Sequence, residues 1–535
     1  MSQEENKKTI KKENTESIKE QKIGRRDILK GLVTVPFLGV FSYSFWKKKL
    51  LDDKRKKEIL AELGLDEKAP AILPKTTMKK PGELIRLGII GFGGRAEDLA
   101  RAAGFAHPEW IERKKQDARK NKLDKGLEDF LKQEDLNVVI TAVCDVFDVR
   151  AERGIAASKN DIRPGGGSGS LPGAKRYLHY QDLLQSKDVD AVIIGTPDHW
   201  HAKMVIDALK AGKNVYCEKC MTRTEEETIQ VYNAVKQSGL VFQLGHQNRQ
   251  QESHLKAREL VKRNILGKIT LVETTTNRNS PGGAWVYKIH EKGSPETIDW
   301  EQFQGPAPHK VPFSLERFFR WRCWFDYGTG LSGDLLSHEY DAINQILELG
   351  IPYSATASGG VYFFKDGRDV PDVFQVVYEY PERDLTLVYS ATLANSRNRG
   401  KVFMGHDATM EVGNALTVTA DYGSTRYKEK ILNNIINTSL PMFSYRPGAK
   451  GIDAVTSATE RYFASRGLMY TYREGKRFDA THLHIKEWLD CIRNGGQPSC
   501  NIDRGFEEAI TCHMATRSYL EGRQVKWDPV KKRIV

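Results

Sequence analysis

A chain of 535 residues is too long for one average domain and suits two domains with additional segments. Its apolar content of 39% supports packed cores and excludes a collagen-like or wholly disordered chain. The net charge of +12 divides as +8 over residues 1–82 and +4 over the other 453, so the basic excess belongs to the N-terminal region and argues against a nucleic-acid partner. Seven scattered cysteines are too few for a disulfide framework in a chain this long.

Taken from the N-terminus, Gly24-Arg25-Arg26-Asp27-Ile28-Leu29-Lys30 precedes a 16-residue uncharged stretch, 31–46, and then Lys47-Lys48-Lys49. A paired arginine ahead of a modest apolar segment resembles a twin-arginine export signal, which carries folded proteins across a bacterial inner membrane. A short buried helix behind chance basic residues is the competing reading. No small-residue cleavage site follows, and the stretch falls short of a comfortable span. The expectation is a signal or uncleaved anchor at 1–46, recognised by the twin-arginine translocase. A charged linker at 47–82 follows, and the remainder lies in the periplasm, free or held at the inner membrane.

Residues 85–91 form an apolar strand that runs into Gly91-Phe92-Gly93-Gly94-Arg95-Ala96. Glycines at such a turn let the backbone approach a pyrophosphate, whose charge meets the N-terminus of the next helix. Ala96 stands where a third glycine usually falls, which the pattern accepts. A second strand, 138–145, ends in Asp145, 54 residues beyond Gly91 rather than the usual count of about 20. The excess, 101–133, is expected to be a longer first helix plus a surface insertion. Asp145 would accept hydrogen bonds from adenosine ribose hydroxyls and repel a 2′-phosphate, favouring NAD. A glycine-rich loop, 163–173, follows.

Strand 190–195 ends on Thr196-Pro197-Asp198-His199-Trp200-His201, and strand 214–217 ends on Glu218-Lys219-Cys220. Ligands of parallel sheets collect at such strand ends, so residues 196–201 are expected at the ribose–nicotinamide half of the cofactor. His201 could instead cap the helix it opens. Cys217 and Cys220 form a C-x-x-C pair, read as either packing or a redox couple; no zinc site is evident, and no metal is expected. Strand–helix alternation to Gly245-His246-Gln247-Asn248-Arg249 implies a parallel sheet covered on both faces, a nucleotide-binding domain at 83–246. Beyond it, 269–277, 355–364, 373–380, 385–390 and 408–412 are short Val-, Thr- and Tyr-rich runs of a mostly antiparallel sheet. Helices return at 482–493 and 504–522, within a second domain at 247–535.

Two further motifs complete a resemblance. Glu218-Lys219-Cys220 matches an E-K-P motif with the proline replaced. Asp334-Leu335-Leu336-Ser337-His338, introduced by the glycine-rich 327–333, matches D-x-x-x-H. In this order, over residues 83–525, they resemble the Gfo/Idh/MocA oxidoreductases (glucose–fructose oxidoreductase, inositol dehydrogenase and relatives). The resemblance implies an α/β fold, in which an N-terminal Rossmann domain precedes an α/β domain with a large, mainly antiparallel open sheet. It also implies NAD as cofactor, a homo-oligomer, and a catalytic set of Lys219, Asp334 and His338. Asn248 falls where relatives place a cofactor or substrate contact, and Glu218 is a candidate cofactor contact.

The chemistry fits those residue types. Oxidising a carbinol requires a base within reach of its hydroxyl proton while hydride leaves carbon. Asp334 and His338, four apart, project from one helix face, so Asp334 could orient the imidazole. Without the resemblance, such a pair is more often a structural hydrogen bond. Lys219 could stabilise alkoxide character or relay the proton, and which of Lys219 and His338 is the base stays open. Arg249, Arg322, Trp324 and Tyr327 are candidate sugar contacts, with Arg320 and Trp321 beside them; core aromatics and surface arginines are the plainer alternative. The functional expectation is an exported sugar oxidoreductase with tightly bound NAD. The alternatives are an NAD-dependent glycoside hydrolase or lyase that oxidises its sugar transiently, and a sugar-sensing binding protein.

Overall fold

The computed structural model describes residues 82–122, 124–160, 171–448, 470–473 and 476–535, with scattered positions between 46 and 64. Arg25, Arg26 and the apolar stretch behind them up to residue 45, most of the 47–82 linker, and residues 161–170 of the glycine-rich loop lie outside the described residues. Residues 1–66 form one compact unit, in which 57–61 are helical, and 67–535 form another. Among the described residues no helix is long and apolar enough to cross a membrane.

Within the larger unit, β1 (Ile85–Ile90), β2 (Val138–Cys144), β3 (Lys175–Tyr177), β4 (Ala191–Ile194), β5 (Asn214–Cys217) and β6 (Phe242–Leu244) make a six-stranded sheet. All its pairings are parallel and its order is β3-β2-β1-β4-β5-β6. The order reverses between β1 and β4, which opens a crevice at their carboxyl ends. β4 is buried throughout, as a strand covered on both faces must be. The 101–133 insertion differs from expectation: α1 (Gly94–Ala102) stops, and two separate helices, Pro108–Lys120 and Gly126–Leu131, follow. Trp110, Phe130 and Ala106 give them a small core of their own, which is why they need not continue α1.

The second sheet has ten strands and is mixed. It contains β7 (Ile269–Asn277), β8 (Ser354–Gly360), β9 (Val373–Tyr380), β10 (Leu385–Thr392), β11 (Lys401–Gly405), β12 (Ala408–Val412), β13 (Leu416–Ala420) and β14 (Phe443–Tyr445). Beyond a separate hairpin, β15 (Tyr470–Arg473) with β16 (Lys476–Asp479), the strands β17 (Val525–Asp528) and β18 (Arg533–Ile534) extend its edge. The expected antiparallel pairing holds except at the centre, where β7 and β10 run parallel. β9 alternates buried and exposed residues, the mark of a sheet with one covered face. The helix Ile502–Glu521 lies on that face, where Tyr378 donates its hydroxyl to the Thr511 carbonyl at 2.8 Å.

The C-terminal helices also complete the first sheet. Ile485, Trp488 and Leu489 of the helix Ala480–Asn494 pack with Leu87 and Ile89 on one face. Cys500, Ile502 and Ala509 join Ile90, Ile194 and Leu244 on the other. The helix Ile502–Glu521 thus contributes to the core of the first sheet and covers the second, and Arg278, just after β7, helps to line the crevice at the β1/β4 reversal.

Candidate active site

The cleft starts at the glycine turn. Gly91 has φ +79°, and a Cβ there would lie 2.8 Å from Thr196 Cγ2, so only glycine fits where the β4 turn crosses. A Cβ at Gly93 or Gly94 would meet nothing within 4 Å, which leaves open space over the turn. Gly93 caps α1 without a side-chain acceptor, so the first-turn N–H groups point into that space uncommitted. A pyrophosphate fits there on charge and donors. The cleft is about 1340 Å³, above the usual range of about 300–1,000 Å³ for one small ligand.

Asp145 stands at the adenosine side and is buried. Its two oxygens accept the backbone N–H groups of Phe92 (2.6 Å) and Phe147 (2.8 Å), binding the glycine turn to the β2 turn. Each oxygen keeps a lone pair for a ribose hydroxyl. Burial pushes its carboxyl pKa up, with Arg150 and the two N–H donors opposing. Asp145→Ala is expected to leave the protein with less NAD after dialysis, since hydrogen bonds to a charged acceptor are worth about 1.5–3 kcal/mol. Unchanged occupancy would remove Asp145 from the cofactor site.

A long segment between β7 and Asp334 covers this end. Asp148 N–H donates to the Thr297 carbonyl (3.0 Å), Asp299 N–H donates to the Val146 carbonyl (2.9 Å), and Phe147 bridges Ile298. Phe318 and Phe319 meet Phe147 edge-on, with the Arg150 guanidinium over all three rings. These contacts tie the second domain to the loop that carries Asp145.

At the other strand ends, Arg95 donates to Glu218 Oε1 (2.7 Å) and to Gln247 Oε1 (3.0 Å). Lys219 Nζ lies 2.8 Å from Asp334 Oδ1 and 2.7 Å from the Asp334 carbonyl. The Lys219–Cys220 peptide, where the resembled motif has proline, is cis. Arg322 Nε donates to the same Oδ1 at 2.9 Å, and Trp285 Nε1 donates to Oδ2 at 3.0 Å. Trp285 is fully buried at φ +63°, a conformation rare for a bulky residue, and its indole N–H is committed to Asp334.

Asp334 therefore does not orient His338, contrary to expectation. Residues 332–336 form a π-helical turn ahead of the helix Ser337–Leu347, and both carboxylate oxygens are occupied by other donors. His338 lines the cleft half-buried, its Nδ1 without a partner and its ring edge-on to His246 at 5.4 Å. Burial opposes both charges of the Lys219–Asp334 pair, but their mutual attraction prevails. The Lys219 pKa is raised, and the Asp334 carboxyl is held well below the carboxylate range with help from Arg322. Burial, then the neighbouring ammonium, holds the His338 imidazole well below its ordinary value.

The structure brings Gly91, Phe92, Gly93, Gly94, Arg95, Asp145, Thr196, Pro197, Asp198, Trp200, Glu218, Lys219, Arg322 and His338 around this one cleft, beside Asp334. Other expected residues are turned away from it. His199 Nε2 donates to the Phe303 carbonyl at 2.8 Å, which also takes the indole N–H of the cleft-lining Trp200 at 2.9 Å, and His201 lies between the carbonyls of Thr196 and Cys220. Arg249 is buried and forks onto Asp341 (2.6 and 2.8 Å) and the Ser499 carbonyl, which corrects its assignment as a sugar contact. Trp324 packs under the Arg317 guanidinium and Tyr327 is fully buried against Phe303 and His199, so neither is a cleft residue. Asn248 leaves its Oδ1 buried and unpartnered. Cys217 and Cys220 are free thiols; Cys220 meets Thr329 Oγ1 at 3.0 Å. Sequence reasoning missed Trp285, Gln247, His246 and Arg278; His246, Gln247 and Arg278 follow strand ends and carried a positional signal, and Trp285 did not.

Residues 85–246 match the model of the GFO_IDH_MocA oxidoreductase family, described as an NAD-binding Rossmann fold. Over this stretch the chain is similar to the Rossmann domain of the Gfo/Idh/MocA oxidoreductases. NAD is the cofactor of this Rossmann fold. Levoglucosan dehydrogenase of Pseudarthrobacter phenanthrenivorans is 27% identical over 192 residues, covering 34% of this chain and 41% of that protein. Glycosyl hydrolase family 109 protein 1 of Shewanella sp. (strain MR-4) is 27% identical over 190 residues, 34% of each chain. The chain spans about a third to a half of the length of the curated relatives it matches. The fold as a whole is similar to a solved levoglucosan dehydrogenase complexed with NADH and levoglucosan. The TM-score is 0.55 at 16% identity, with 83% of this chain and 99% of that one covered.

Proposed function

We propose that this chain is an exported oxidoreductase that oxidises a carbinol of a sugar using tightly held NAD. The observation that carries the proposal is a lysine ammonium and a neutral histidine lining the cleft of the glycine turn. NAD, when bound, supplies the hydride acceptor. His338 accepts the hydroxyl proton, since its imidazole is uncharged at neutral pH, and Lys219 faces the same oxygen as an ammonium and stabilises its developing negative charge. Asp334 fixes Lys219 in place and keeps it protonated, while Arg322 and Trp285 fix Asp334. Lys219 is thus the electrostatic partner and His338 the base. The segment fastened over the Asp145 end supports slow cofactor release.

The test uses the purified protein with its co-purified NAD and no added cofactor, titrated with a panel of sugars. Absorbance and fluorescence of NADH that appear and persist support a half-reaction awaiting an acceptor. No signal with any sugar would favour a sensor. The similarity to a family 109 glycosyl hydrolase favours a second reading, transient oxidation with release of an aglycone, which the same titration reads as a passing signal with glycosides.

Export rests on Arg25 and Arg26 ahead of the uncharged stretch. Replacing both with lysine is expected to retain folded, NAD-loaded protein in the cytoplasm, as judged by fractionation. Normal export of that variant would remove the twin-arginine reading.

A further inference from the structure

The reacting end of the cleft carries more positive charge than a neutral sugar calls for. Lys219 and Arg322 both lie against a single carboxylate, Asp334. Arg278, the first residue after β7, lines the same cleft and makes no ion pair or side-chain hydrogen bond with any described residue. Its backbone is pinned to the sheet, where its N–H donates to the Thr392 carbonyl at 2.9 Å. Arg322 commits only Nε to Asp334, so its terminal nitrogens donate to no described residue. Its guanidinium plane is set by stacking on Trp321 at 4.1 Å, and Trp321 also lines the cleft.

The nearby acids do not balance this excess. Glu218 is taken by Arg95, and Glu339 by Lys401 at 2.8 Å. Asp198 accepts the Thr329 hydroxyl at 2.9 Å, and its burial disfavours the charged form. Three cations therefore face one carboxylate, in a cleft where an uncompensated charge is costly to desolvate. The cofactor pyrophosphate does not supply the counterion, because its own donors are the glycine turn and the start of α1.

We propose that the sugar substrate carries an oxyanion, a carboxylate or a phosphate, held by Arg278 and Arg322 while its carbinol sits at Lys219 and His338. Planar guanidinium forks suit both groups, because each presents paired oxygens to parallel N–H donors. This inference rests on the hydride-transfer reading of the cleft. The acid group would also fix which carbon faces His338, which a neutral ring of near-equivalent hydroxyls does not do.

The test is a titration of the full-length, NAD-loaded protein with matched sugars: glucose, galactose and mannose, each beside its uronate and its 6-phosphate. Binding is read by tryptophan fluorescence and reduction by the NADH signal, each measured separately. Within every set that binds, the acidic member is expected to bind more tightly than the neutral one, and comparison of uronate with phosphate identifies the group. Arg278→Gln is expected to raise the Kd of the acidic sugar about 10- to 100-fold, the loss of a charge-assisted hydrogen bond. The neutral sugar's Kd should change much less than the acid's, and Arg278→Lys should restore part of the loss. Neutral sugars that bind as tightly as their acids overturn the inference, as does a panel in which no acid binds or an Arg278→Gln variant that binds acids normally. Reduction of bound NAD by neutral sugars alone overturns the inference and leaves the oxidoreductase reading standing. Tight, Arg278-dependent binding of an acid without any reduction supports the oxyanion subsite and overturns hydride transfer instead.

Discussion

His338→Ala and Lys219→Ala are each expected to lower sugar-dependent NADH formation by about 10²–10⁴-fold while NAD stays bound, because loss of a positioned proton-transfer group has that magnitude. Neither side chain is assigned to the dinucleotide, so NAD content after gel filtration should match wild type. The double variant should be little worse than either single one, since the first loss forfeits what the two achieve together. Turnover near wild type in His338→Ala would remove this helix from the active site.

The same pair sets the pH dependence. His338 works unprotonated and its pKa lies well below the ordinary 6.5; Lys219 works protonated and its pKa lies above the ordinary 10.5. The kcat/KM profile is therefore expected to be level from pH 6.5 to 10. The acid limb should appear only as His338 gains its proton below that range, and the basic limb only as Lys219 loses one above it. Asp334→Asn removes the anion that raises the Lys219 pKa, so the basic limb should move down into the measurable range. An acid limb centred near 6.5 in the wild-type protein would contradict the base assignment.

Asp341→Ala is expected to destabilise the fold by about 3–5 kcal/mol, the cost of leaving a buried charge without its partner. Arg249 and Asp341 are 5% and 1% exposed, and Asp341 Oδ1 accepts two guanidinium N–H groups. Removing the acid leaves Arg249 only the Ser499 carbonyl. Urea denaturation measures the loss, and pairing Asp341→Leu with Arg249→Met should recover most of it, because no charge is then stranded. A midpoint unchanged in Asp341→Ala would mean that Arg249 reaches solvent or substrate, and would return it to the sugar site.

The parts of the site that depend on short-range order are legible in the residues alone. The strand into Gly91-Phe92-Gly93-Gly94, the Asp145 strand end, Glu218-Lys219 and Asp334 with His338 all carry their chemistry within a few residues. The sheet that positions them follows from continuous apolar strands alternating with helices. Tertiary structure alone decided which way the side chains at those strand ends point. Arg249 looked like a ligand contact because it follows β6, yet Asp341, 92 positions away, claims it. His199 opens a helix at the expected place, but the Phe303 carbonyl, more than 100 residues on, turns its imidazole from the cleft and also takes the indole N–H of Trp200. Asp334 was expected to serve its neighbour one helical turn away; instead Lys219, Arg322 and Trp285 converge on it from three other segments. The parallel β7–β10 pair was hidden for the same reason, since strand direction is set by long connections rather than by the strands themselves. A buried polar group takes whichever partner the packed chain brings within hydrogen-bonding distance, and that choice is made between segments far apart in sequence.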